Sequence, residues 1–490
     1  MMDWEKITEI ALNTTRDKGA SYSDIRIVQT QDEGVSIKNG APELTDRSES
    51  TGFGIRVIAS GCWGFASSSD FNPDNIKKVA ELSVKIAKAS SRVKKEDVKM
   101  ASLELDETDA EKGKIIDSYQ TPIEIDPFNI SLKEKLAYLL HLDELMRKVS
   151  GIRLTDAFMS FRQEKKLFAS SEGARIDQLL NHTGAGISAT AMKSHRDMAT
   201  RSYPNSSGQY ESKGYELIKE LNFEEKAERV AQEALALMEA KPCESGQKTI
   251  ILDGAMASLQ IHESIGHPLE LDRVFGAEKN FSGTSFATPD KLGKLKYASD
   301  IVNVVTDPTS PSGLGTFGYD DEGVKAKREY LIKDGMLVGY LSSRQTANMI
   351  NRKSNASMRA EGWGDVPIVR MTNTNLLPQS KTLDDLISET DDGIYMEGVS
   401  SWSIDDNREN FKMGTEIGWE IKNGKLGDMI KKPSYSGNTI EFWNSCDGIA
   451  DEKHWKIWGT PNCGKGQPVQ NARVSQGTSP CRFRNVKVGE

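Results

Sequence analysis

The sequence runs to 490 residues, 37% hydrophobic and 28% charged, with a formal net charge of -9. That length exceeds one ordinary core, so two or three domains are expected. The acidic balance argues against nucleic acid as a primary partner, because phosphate binding needs a basic surface.

The first segment, MMDWEKITEIALNTTRDKG, has no uninterrupted apolar run and no small-residue cleavage site. Trp4, Ile7, Ile10 and Ala11 share one stripe and predict an amphipathic helix. No stretch is long and apolar enough to span a bilayer, so a cytoplasmic protein with no membrane partner is expected. SDIRIVQTQ and GVSIKNG read as two strands separated by a turn, and TGFGIRVIASGCWGFASS as a hairpin turning at Ser60-Gly61. The next helix is well signalled, with Asn72 as cap, Pro73 at its first position, and Ile76, Val79, Ala80, Ser83 and Ala87 at helical spacing. Residues 92–114 are rich in charge and read as an exposed connector, with a solvated helix face as the alternative.

Residues 131–148 predict a second amphipathic helix, on which His141 reads as a surface or packing residue. Short strands are expected through 152–202, with turns at Glu172-Gly173 and Pro204-Asn205. NFEEKAERVAQEALALMEAKP predicts a helix opened by a capping box from Asn222 to Glu225 and ended by Pro242. A domain boundary is placed at 241–247. Beyond it, KTIILD (248–253) suits a buried strand, and GAMASLQIHESIGHP reads as a helix ended by Pro268. YLIKDGMLVGYL and EIKNGKL are hairpins, because Asp334-Gly335 and Asn423-Gly424 suit type I′ turns. The expected fold is α+β. An N-terminal unit, 1–242, combines helices with antiparallel sheet. A C-terminal unit, 243–490, is mostly antiparallel β and carries a short metal-binding helix.

Only six histidines occur in the chain, and two of them, His262 and His267, flank Glu263 in IHESIGHPLELD. On a regular helix, residues five apart point about 140° away from each other. Gly266 tolerates distortion, and Pro268 withholds an amide and moves His267 out of helical geometry. A π-type widening or an unwound end brings the two imidazoles together. Neutral imidazoles are preferred zinc ligands, and catalytic zinc keeps three protein ligands and a water. Glu263 is then placed to take that water's proton. Helix-end histidines capping carbonyls would account for the same residues. A third ligand is needed, and Cys463, Cys446, His454, Glu270 and Asp272 are candidates. Cys463 lies in the tight loop GTPNCGKGQP, where Lys465 would favour a thiolate. Glu270 and Asp272 would otherwise orient the imidazoles from behind or be surface carboxylates past a helix end, and Tyr319 is a candidate to polarise a carbonyl. The GLGTFG stretch (313–318) spells a dinucleotide signature, but three acidic residues follow it and would repel phosphate.

HESIGHPLELDRV, then GTFGYDDEGVKAK, LIKDGMLVGYLSSRQTA, IVRMTNTNL and NCGKGQP, in that order, resemble the TldD branch of the TldD/PmbA metallopeptidase family. The resemblance covers essentially the whole chain. It implies one Zn2+ per chain, held by His262, His267 and Cys463, with Glu263 as general base. It also implies a peptidase for unfolded peptides or small proteins, acting as a heterodimer with a PmbA/TldE-like subunit, or as a homodimer when alone. Extended peptide would add to a sheet edge. A peptide-binding scaffold, or an epimerase-like enzyme that modifies peptides without hydrolysis, are the rival readings.

Overall fold

A computed structural model describes residues 3–104, 114–194 and 197–489. The architecture is the expected α+β, organised on two eight-stranded sheets. In the first, Cys62–Ser68, Ala41–Ala59, Tyr22–Lys38, Ile152–Ser170, Arg175–Ser194 and Ile116–Gln120 are neighbours in that order. All of these pairs are antiparallel except the last, which is parallel. Helices Trp4–Asp17 and Pro73–Ser90 bury Ile7, Ala11, Ile76 and Val84 against Ile25, Ile27 and Phe53. Helices Leu132–Arg147 and Phe223–Glu239 bury Leu139, Leu142, Ala227 and Val230 against the far ends of the same strands, at Val35, Ile37 and Ile187.

Local signals place many of these boundaries. Asn72 accepts from the Asp74 N–H and Pro73 opens its helix. Ser131 and Glu134 form a reciprocal capping box. Three expectations are corrected. The two short strands after residue 22 are one strand, Tyr22–Lys38, because partners on both sides run through Gly34, which faces Asp46 and Ser160. The strands after 152 are long, 19 and 20 residues. Asn222 makes no side-chain cap: it is left-handed, φ 49°, outside the extended geometry a capping side chain needs, and its N–H ends the preceding turn by donating to the Lys219 carbonyl. That helix stops at Glu239, and Lys241–Pro242 pairs parallel to Ile430–Lys431. Of the connector, residues 92–104 are mostly exposed and contain no helix or strand, and Ala101 N–H donates to Arg344 O at 2.9 Å. Residues 105–113 lie outside the described residues.

In the second sheet Asp392–Ile404, Gly246–Leu252, Cys481–Val488, Ser434–Asn438 and Asn410–Lys422 follow one another, and the first also pairs with the last. That extra pairing closes a ring. Against it packs the helix that begins after Asp253, burying Met256, Ile261 and Ile265 with Met396, Trp443 and Phe483. The expected type I′ hairpins are present, with positive φ at Asp334 and Gly335 and at Asn423 and Gly424. Among the described residues, no helix is long and apolar enough to cross a membrane.

Candidate metal centre

The strand Gly246–Leu252 delivers the chain to Asp253, whose carboxylate accepts from the Met256 N–H at 2.8 Å and starts the helix Gly254–Ile261. The helix then widens. His262–Gly266 forms a π turn in which the His267 N–H donates to the His262 carbonyl. His267–Leu269 follows as a tight 3-10 turn around Pro268. Gly266 is required by space as well as by flexibility, because a Cβ there would lie 2.0 Å from Met371 Sδ. The widening turns the five-residue spacing into a pair: the imidazole rings lie 4.8 Å apart and perpendicular.

Cys463 arrives from the hairpin of Lys456–Lys465 and Gln470–Thr478, just after an irregularity in the ladder, where it faces Ala472. Its Sγ is 3.3 Å from His262 Nε2 and 3.5 Å from His267 Nε2. All three side chains are buried. Around a tetrahedral zinc ion with ordinary bond lengths, sulfur and nitrogen ligands sit about 3.6 Å apart, so the cluster has the dimensions of a ligand set. The donor chemistry fits too. Burial opposes ionisation of Cys463, yet His262, His267 and Arg370 hold its thiol well below the ordinary range, favouring the thiolate a metal needs. Arg370, which donates to the Cys463 backbone carbonyl, is the guanidinium that contributes. Lys465, expected in that role, turns instead to Asp272 at 2.6 Å and to the Val369 carbonyl at 2.5 Å.

Glu270 supports His267 from behind, with Oε2 2.8 Å from Nδ1. Burial raises the Glu270 carboxyl, but Lys465, His267 and Arg273 outweigh it and keep it ionised. Burial alone would depress His267, whereas Cys463 and Glu270 raise it. A carboxylate in this position fixes the imidazole's tautomer and orientation. Glu270→Gln keeps the shape and loses the charge; it is expected to weaken zinc binding by about 10- to 100-fold, measured by competition with a chelator. An unchanged affinity would reduce Glu270 to packing.

Glu263 is 7% exposed and stands beside the cluster, its Oε2 accepting from Arg408 Nη1 at 2.9 Å. Arg408 has no sequence signal. It lies 145 residues away at a left-handed position, φ 65°, in the turn between Asp392–Ile404 and Asn410–Lys422. Asp405 holds that turn by accepting from the Glu409 and Asn410 amides. His262, Glu263, His267 and Cys463 open on a cleft of about 880 Å3, walled by Trp402, Trp458, Tyr210 and Phe158.

The other candidates do not join the cluster. Asp272 is occupied by Lys465. Cys446 is buried beside the Gly448 carbonyl. His454 pairs with Asp451 at 2.6 Å. Tyr319 donates to Asp117 at 2.6 Å and lines a different cavity. The glycines of GLGTFG serve close packing: a Cβ on Gly315 would lie 2.3 Å from the Thr372 backbone, and one on Gly313 or Gly318 would meet the Asn373 or Tyr119 side chain.

Three family models match the chain: PmbA/TldA metallopeptidase domain 1 over residues 23–87, the central domain over 125–238, and the C-terminal domain over 245–490. A metalloprotease of Methanocaldococcus jannaschii is 28% identical over 480 residues, covering 96% of each chain. A metalloprotease TldD homolog of Buchnera aphidicola subsp. Acyrthosiphon pisum is 26% identical and covers 98% of this chain and 95% of its own. The crystal structure of TldE from Thermococcus kodakarensis has the same fold, with TM-score 0.71 and 17% identity over 98% of this chain and 99% of that one.

Proposed function

The chain belongs to the TldD/PmbA metallopeptidase family, and from that premise we propose that it is a zinc-dependent peptidase for unfolded peptides, with His262, His267 and Cys463 as ligands and Glu263 as general base. The observation that carries the reading is the meeting of two imidazole nitrogens with the Cys463 sulfur at 3.3 and 3.5 Å beside a carboxylate, in one cleft. Zinc held there supplies Lewis acidity and lowers the pKa of a water. The chain's own residues do the rest. Glu263 takes the water's proton and returns it to the leaving amine. Arg408 holds the Glu263 carboxylate in one orientation. The aromatic walls receive extended peptide.

A TldE-like subunit is the proposed partner, a reading supported by the solved TldE that shares the fold. The proposed site of action is the cytoplasm, supported by five free cysteines among the described residues.

The test is metal content by mass spectrometry for the wild type and for Cys463→Ala, followed by peptide cleavage with the partner added. About one zinc per chain, reduced in the variant, is expected for a site of three protein ligands. Full zinc in Cys463→Ala would remove the thiolate from the ligand set. A peptide product of unchanged mass would assign epimerisation in place of hydrolysis.

A further inference from the structure

Behind the hairpin that carries Cys463 lies a second cavity, of about 40 Å3, with room for roughly three waters. The first sheet forms its floor, where Arg162 and His182 are cross-strand partners. Arg359 and Arg473 of the second half complete it. His182 is 7% exposed, and neither of its ring nitrogens has a hydrogen-bond partner. Buried polar side chains are rarely left so, and each exception asks for an explanation.

The charges that act on His182 are positive. Burial first, then Arg473, Arg162, Arg359 and Lys166, push its imidazole well below the ordinary range, so it is neutral and has one N–H to donate. The carboxylates around the cavity are already engaged. Glu164 lies 3.3 Å from Arg162 and 3.5 Å from Lys166. Asp321 pairs with Lys166 at 2.8 Å and accepts from the Ala360 N–H at 2.8 Å. Glu361 accepts from the Asn471 N–H at 2.7 Å. Asp320 accepts from the Glu322 and Val324 N–H groups at 2.9 and 3.0 Å and from the Met358 N–H at 3.1 Å, while burial and Glu322 raise its carboxyl. The cations are less well matched. Arg359 donates to two carbonyls, Met371 O at 3.1 Å and Arg473 O at 2.6 Å. The Arg473 guanidinium comes no nearer to a carboxylate than 3.8 Å, at Asp32. Burial and neighbouring cations hold both guanidinium groups down to about 10.

We propose that this cavity binds a small tetrahedral oxyanion of the phosphate or sulfate type, held by His182, Arg359 and Arg473. The anion supplies the acceptor that the His182 N–H lacks and the negative charge that the two guanidinium groups lack. The site stands apart from the metal centre but touches its scaffold. Ala472, which lines the cavity, is the cross-strand partner of Cys463. A bound anion therefore ties the first sheet to the hairpin that presents the thiolate.

The test is calorimetric titration of the full-length, zinc-loaded protein with inorganic phosphate in chloride buffer, on the wild type, Arg473→Gln and His182→Gln. Arg473 is partly exposed, so its variant is expected to fold. One phosphate per chain, bound at least tenfold more weakly by either variant, is the expected result, with sulfate competing. Three outcomes would overturn the site. No binding at millimolar phosphate would, and so would equal binding by the variants, which means an adventitious ion only. Binding that disappears when zinc is stripped would place the anion at the metal instead. Acetate competing as well as sulfate would reassign the cavity to a carboxylate and overturn the tetrahedral class.

Discussion

Glu263→Gln is expected to lower kcat/KM for an unfolded peptide by about 10²- to 10⁴-fold, the range removed with a general acid–base group, while metal content stays at the wild-type level. The two effects separate because Glu263 is not one of the three converging donors: its Oε2 goes to Arg408 at 2.9 Å. Glutamine keeps the size and the acceptor oxygen but cannot take a proton. Arg408→Ala frees the carboxylate to turn away, and a catalytic group misplaced by about 1 Å loses up to roughly 100-fold. In a Glu263→Gln background the same change is expected to cost nothing further, because two residues that act as one unit are not additive. Metal content and peptide cleavage, measured on both single variants and on the double, check this. Wild-type turnover by Glu263→Gln would take Glu263 out of the reaction. A full additional loss in the double variant would mean that Arg408 acts on the substrate itself.

What the sequence disclosed depended on how far apart the interacting residues lie. The helix at Pro73 and the turns at Asp334-Gly335 and Asn423-Gly424 are written in adjacent residues, and each was legible. The π turn was legible for the same reason: Gly266, Pro268 and the histidine spacing all fall within seven residues. Gly34 misled because a glycine before a β-branched run looks like a turn until both flanking strands are known. Asn222 misled because the preceding turn used its backbone first. The distance from His267 to Cys463 is 196 residues. Ligand chemistry alone left five candidates for that place, and only resemblance to a family selected one. Arg408 and Arg370 were not legible at all, since each reaches the centre through a fold that no local pattern specifies.

The largest effect expected on stability lies outside the cleft, at Arg56. Its Nε and Nη2 donate to Asp24 Oδ2 at 2.9 and 2.8 Å, and its Nη1 to Glu322 Oε1 at 3.1 Å. The guanidinium also lies over the Trp63 ring, 4.4 Å from its centre. Asp24 belongs to the first sheet and Glu322 to the second half, where Glu322 also accepts from the Arg344 N–H at 2.6 Å. All three charges are buried, at 2%, 0% and 1% exposure. Arg56→Met keeps much of the packing but leaves two carboxylates without a counter-charge in a dry interior. Removing one partner from such a group costs about 3–5 kcal/mol, against a total of about 5–15 kcal/mol for a typical native protein. Guanidinium unfolding at neutral pH is expected to show a clearly lower midpoint for Arg56→Met. Replacing the whole group, with Asp24→Asn and Glu322→Gln added, is expected to recover much of the loss, because the penalty belongs to the orphaned charges and not to the missing pair. A midpoint equal to wild type in Arg56→Met would mean that solvent reaches these carboxylates and that the two halves are held together elsewhere.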